Sequence, residues 1–229
     1  MLSPLLGAAA WVAQQQRWCV AADSGASIYV PPFLPSARNS LVFMEFSRSR
    51  IGLLGKHASH CGRLVIELFD CDSPVLTTNF RELCRGGRGI CGCGAPLAYR
   101  GTRVTAGQGT VIAGDITNGR VPGGWSIYGR ECRVAQEGSD RGGKGSVYAI
   151  CRGSVCGSEF AISLTDAAPG EGHVLLGQVL EGYELLERIQ KQRDRPCASL
   201  FVRHHVSDAG VVREAATPDF RRGSRLLMF

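Results

Sequence analysis

The chain has 229 residues, 44% of them hydrophobic and 20% charged, with a formal net charge of +6, which is ordinary for a globular protein and enough for one full core plus extensions. Much of the positive charge sits in arginine-rich termini, and no RNP, zinc-finger or helix-turn-helix pattern accompanies it, so nucleic acid is not an expected partner. Thirty glycines point to many turns and short strands. Residues 1–40 read as an N-terminal arm. Its first thirteen residues are apolar but lack a preceding basic residue, which makes a poor secretory signal, and they are too short and broken for a membrane span. The absence of acidic residues before Asp23 leaves a weak mitochondrial-presequence reading beside a cytoplasmic or cytoskeletal setting. Pro31-Pro32 and Pro35 mark an extended linker.

Leu41–Phe46 predicts the first strand, and Ser47–Cys61, with His57 and His60, a solvated loop. Arg63–Phe69 predicts a strand, stopped by Asp70-Cys71-Asp72-Ser73-Pro74. Ser73 suits a helix N-cap and Pro74 the first helical position. Leu76, Phe80, Leu83 and Cys84 share one face of that helix, and Arg81 and Glu82 fall off it. A Gly/Cys/Arg loop follows over residues 85–98. Further strands are expected at Val111–Thr117, Gly145–Ile150, Phe160–Leu164, His173–Leu180 and Leu200–Val206, with a helix over Gly182–Gln192. The ten cysteines lack paired zinc-site spacing, and Cys91-Gly92-Cys93 is too tight for it, so free, partly buried thiols and no metal or cofactor are expected. The tail over residues 213–229 is basic and ends in the apolar Leu226–Phe229.

The run Glu67-Leu68-Phe69, Pro74, Thr77, Asn79-Phe80, Leu83-Cys84 resembles the opening of the cyclophilin domain. So do Val42-Phe43, Tyr99-Arg100-Gly101-Thr102, Ser126-Ile127-Tyr128-Gly129 and Asp208-Ala209-Gly210. The resemblance covers residues 41–212. It implies a mainly β fold, a closed eight-stranded antiparallel barrel capped by two helices. It also implies peptidyl-prolyl cis-trans isomerase chemistry on X–Pro peptide segments. That reaction crosses a barrier of ~18–20 kcal/mol set by amide resonance. In the family an arginine donates to the proline nitrogen, an apolar cup of Phe, Met, Leu and a second Phe holds the ring, and amide side chains fix the flanking backbone.

The family's F-H-R-x-x-x-x-F-M-x-Q-G-G-D is matched here only at Gly114-Asp115. Counting back places Ile112 at the Gln, Thr110 at the Met, Gly109 at the first Phe and Val104 at the Arg. Arg103, one position away, is the candidate catalytic arginine, and a one-residue loop insertion would bring it into place. Cys151 stands where the family has Asn, Glu159 where it has Gln, and Ala161 where it has the second Phe. Ala168 replaces the Trp of the third motif, and His173 is kept. Arg103 and His173 are thus the catalytic candidates, and Ile112, Cys151, Glu159, Ala161 and Ala168 the substrate-binding positions. Residues that build the barrel match, and residues that line the pocket mostly do not. Two functions are therefore expected as rivals: a catalytically impaired pseudo-isomerase serving protein interaction or the structure of a larger assembly, and an active but weak isomerase. On the first, the Pro31–Pro35 arm and the tail are the expected partner-binding elements.

Overall fold

The structure, a computed structural model, describes residues 29–52, 55–130, 132–133, 142–167, 170–193 and 202–215. The apolar N-terminal stretch, Ala168 and the tail beyond residue 215 lie outside them. Eight strands are formed: β1 (Ser40–Gly52), β2 (Gly55–Leu68), β3 (Arg103–Ala106), β4 (Thr110–Ala113), β5 (Ser146–Arg152), β6 (Val155–Ser163), β7 (His173–Glu181) and β8 (Val202–Arg213). They close into an antiparallel barrel in the order β1-β2-β7-β5-β6-β4-β3-β8. Closure pairs both sides of every strand and leaves no edge for another chain to extend. Among the described residues two helices flank the barrel: α1 (Pro74–Arg85) against β8, β1 and β6, and α2 (Tyr183–Arg193) against β2, β3 and β4.

Alternation along the strands fills the interior. Val42, Met44 and Phe46 of β1, Leu64, Ile66 and Leu68 of β2, and Phe160 and Ile162 of β6 are buried at every second residue. Phe80 of α1 meets Tyr99 and Phe160 at centroid distances of 5.0 Å each, so the helix enters the core through an aromatic cluster. Asn79, one residue before, donates from Nδ2 to the Gly157 carbonyl (2.8 Å) and accepts the Ile127 N–H at Oδ1 (2.9 Å). This single amide ties α1 to the start of β6 and to the Ser126–Gly129 turn. Gly114 has φ +88°, and a Cβ there would lie 2.5 Å from the Ser158 carbonyl oxygen. Only glycine lets the chain pass so close to β6. Asp115 beside it accepts the Thr117 N–H (2.9 Å) and hydroxyl (2.7 Å), closing the following loop.

Several local expectations differ. Ser47–Cys61 is no loop: β1 and β2 continue as a paired hairpin to Gly52↔Gly55, with a register shift at Phe46/Ser47, and both His57 and His60 lie in β2. The extension is held because β8 pairs with the same stretch of β1, from Ser47↔His205 to Arg50↔Val202. β4 stops at Ala113, since Gly114 and Asp115 already belong to a turn. Ser73 precedes α1, but its hydroxyl donates to the Leu175 carbonyl of β7 (3.3 Å) and makes no cap bond. Glu82 is buried rather than solvated, between Arg85 and Arg88, its charge matched by both guanidinium groups. Four cysteines expected to be free are paired, as Cys91–Cys93 and Cys151–Cys156, while Cys61, Cys71, Cys84 and Cys132 are free among the described residues. Cys151 and Cys156 are cross-strand partners at the end of the β5–β6 hairpin, so the sheet register brings their side chains together.

The last part of the arm is not free either. Residues 31–39 lie along β2 and β7, with Phe33 edge-on to Phe69 at 5.2 Å. The start of the tail is also held, since Glu214 pairs with Arg81 and Arg85 and the Ala215 N–H donates to Ser40 Oγ (3.0 Å).

Candidate functional site

Cross-strand partners in an antiparallel sheet point to one face, so the register shows which candidate residues come together. Thr105 of β3 is opposite Ile112 of β4, Ile112 is opposite Ala161 of β6, and Ala161 is opposite Tyr148 of β5. This row lies on the outside of the barrel, because the residues between, Val104, Val111, Phe160 and Val147, are the buried inward ones. Arg103 stands two residues before Thr105 and shares its face. The Gly-rich Gly107–Gly109 turn thus leaves Arg103 on the same side as Ile112, with Val104 pointing into the core. Arg103 is exposed, and toward α2 it borders a cavity of about 300 Å³ together with Thr105, Gln192, Arg193 and Arg203.

Tyr148 and Ala161 are 0% and 1% exposed, so the place opposite the lost phenyl ring is not open. Tyr148 packs with Phe69 and Leu175, Phe33 covers that cluster, and the His173 ring stands edge-on to Tyr148 at 6.3 Å. A Cβ on Gly142 would lie 1.7 Å from the Tyr148 hydroxyl, so the phenol runs directly beneath that backbone. Burial pushes the Tyr148 hydroxyl above its ordinary range, against the opposing effect of a hydrogen bond with Ser146.

The other candidates are dispersed. His173 opens β7 opposite Ile150, with Nδ1 3.2 Å from the Glu171 carbonyl oxygen. From β7 to β3 the barrel order interposes β5, β6 and β4, which is four strand spacings or ~19 Å along the sheet. Cys151 alternates inward, buried and bonded to Cys156, and so is not beside Ile112 and Ala161. Glu159 lies two residues before Ala161 on the same outer face. Burial and then the Asp115 carboxylate hold its carboxyl above the usual range, against Arg152 and a hydrogen bond from the Gly123 backbone. Among the described residues no group of three or more His, Cys, Asp or Glu side chains is placed to hold a metal, and no helix is long and apolar enough to cross a membrane.

Tyr148 has no counterpart in the motif comparison. The signal that could have found it is register: Gly145–Ile150 and Phe160–Leu164 form a hairpin, and pairing them places a large residue opposite Ala161.

A closed eight-stranded antiparallel barrel, two capping helices and an outer face running across β3, β4, β6 and β5 define a peptide-directed barrel of the prolyl-isomerase type. The family model described as cyclophilin type peptidyl-prolyl cis-trans isomerase/CLD matches residues 56–208, two thirds of the chain. The protein belongs to the cyclophilin family.

Proposed function

We propose that this chain is a catalytically impaired cyclophilin, a pseudo-isomerase that uses the fold for protein interaction or as a component of a larger assembly. The observation that carries this reading is the Tyr148–Ala161 pair. Where a proline ring would need an open apolar floor, a buried tyrosine and a buried alanine close the surface. Ile112 adds to the effect, since an aliphatic side chain cannot donate to or accept from a substrate backbone as the family's Gln does. Losing one aromatic contact of this kind costs ~3–5 kcal/mol as a core truncation. Half of that already weakens binding more than tenfold.

Arg103 favours the rival reading of weak activity. Its guanidinium is exposed on the face that carries Ile112, so an arginine remains available to a bound X–Pro segment. A protease-coupled or NMR-exchange assay on a proline peptide, run beside an active cyclophilin, separates the two. The expected acceleration is at least a hundredfold smaller than the active enzyme's. Activity within tenfold of it, abolished by Arg103→Ala, would overturn the impaired reading and make Arg103 catalytic.

A further inference from the structure

On the outer surface of β2 and β7, two buried polar side chains bond to each other and to the arm. Gln178 of β7 and Glu67 of β2 are cross-strand partners, each 0% exposed. Gln178 Oε1 accepts the Phe33 N–H (2.9 Å), and its Nε2 donates to the Phe33 carbonyl (3.0 Å) and to Glu67 Oε2 (2.7 Å). Glu67 Oε1 accepts the Ser36 N–H (2.7 Å) and the Asn39 side-chain amide (2.9 Å). One carboxamide thus reads both backbone groups of a single residue, as a neighbouring strand would. Next to it the Phe33 side chain enters the apolar cluster of Phe69, Tyr148 and Leu175, while Leu34 is 87% exposed.

Chain chemistry fits this pattern of contacts. Pro32 and Pro35 restrict the backbone around Phe33 toward an extended form before docking, which lowers the entropy lost on binding. Backbone bonds at Phe33 and Ser36 give affinity without regard to sequence, and the apolar cluster selects an aromatic side chain between them. The side chains of Gln178 and Glu67 bond to each other and to the arm. With the arm away, the carboxamide oxygen loses its bond and Glu67 loses two donors, a costly state for buried polar atoms.

We infer that this surface is a peptide-recognition site for an extended segment of the pattern Pro-aromatic-x-Pro, filled in cis by Pro32-Phe33-Leu34-Pro35 and open to a partner segment of the same chemistry once the arm leaves. The tether gives the arm a high local concentration, so a partner competes only when the arm is displaced or weakened. The site shares Tyr148 with the row that carries Ile112 and Ala161, but its backbone-reading groups, Gln178 and Glu67, lie on β7 and β2, and peptide binding there is read independently of isomerase activity.

The test uses the full chain and a fluorescent synthetic peptide of residues 29–39, followed by anisotropy. The full chain carrying Phe33→Ala with Ser36→Pro, which removes the donor to Glu67, should bind the peptide saturably. The wild-type chain, already occupied, should bind it at least tenfold more weakly. A peptide carrying Phe33→Ala, or N-methylated at Phe33 so that the bond to Gln178 is lost, should bind the arm variant at least tenfold more weakly than the parent peptide. If the double substitution fails to fold, Phe33→Ala alone is the milder version of the same protein. No saturable binding to an arm variant with wild-type circular dichroism and a cooperative melt would overturn the proposal, as would equal binding of the parent and altered peptides. Neither result bears on the isomerase assay, so the two readings fail separately.

Discussion

The β4–β6 pair has two faces with opposite fates. Inward, Val111, Ala113, Phe160 and Ile162 are buried in the barrel, and Phe160 meets both Phe80 and Tyr99. Outward, the same strands carry Ile112 and Ala161 where the family pattern has a Gln and a Phe. Adjacent residues of one strand therefore experience different constraints. The inner set must fill a closed volume at crystal-like density, so its shapes are held by the stability of the whole fold. The outer set is free of that demand, and here buried Tyr148 stands opposite Ala161 on it. One strand pair can thus keep its inner face while its outer face departs from the family pattern.

The largest expected effect tests the inner face. Phe160→Ala should destabilise by ~3–5 kcal/mol, read from a shift of the urea midpoint, because three aromatic rings lose their shared contact. A loss below ~1 kcal/mol would mean the aromatic cluster does not hold α1 to the barrel.

A smaller effect tests whether the outer face is as full as described. Ala161→Phe alone should cost ~1–3 kcal/mol by overpacking against Tyr148, and adding Tyr148→Ala should recover much of it. In a double-mutant cycle the coupling should exceed ~0.5 kcal/mol. Additive effects would place the two side chains apart and reopen the question of what closes the floor.

Further round the barrel, His204 of β8 extends the comparison to charge. Burial first, then Arg48 and His205, lower its pKa, so the folded state disfavours its protonation. The unfolded chain binds the proton more readily, and stability should fall as pH drops below ~6.5. His204→Asn should make the decline in melting temperature between pH 7 and 5 shallower by about 1–2 °C, discounted for the partial exposure of the ring. An unchanged pH profile would mean that His204 is solvated like an ordinary surface histidine.

The smallest effect belongs to Glu159. Its pKa is raised, so the folded state holds the proton more tightly than the unfolded one, and stability falls as pH rises from ~4.3 through the folded value. Glu159→Gln should therefore raise the neutral-pH melting temperature by about 1 °C while leaving that at pH 4 nearly unchanged. A lower melting temperature at pH 7 would show that the Arg152 contact outweighs burial and Asp115.

The cyclophilin barrel was legible in the sequence because its signals are local and repeated. Strand alternation, the strand–turn–helix of residues 63–85, and turn residues such as Gly114-Asp115 state their structural needs within a few positions of chain. Tertiary structure decided what depends on partners far apart. Ser47–Arg50 became strand because β8, more than 150 residues later, pairs with it, and the first part of β2 follows by pairing with β1. Ser73 lost its cap role to a carbonyl of β7, and Cys151 found Cys156 only through the hairpin register. The same holds for function. Substitutions at Ile112 and Ala161 could be read from motif spacing, but not that buried Tyr148 stands opposite Ala161, nor that Gln178 and Glu67 hold the arm. Those facts depend on which strands become neighbours, and that is fixed by burying the whole core at once rather than by any segment's own pattern.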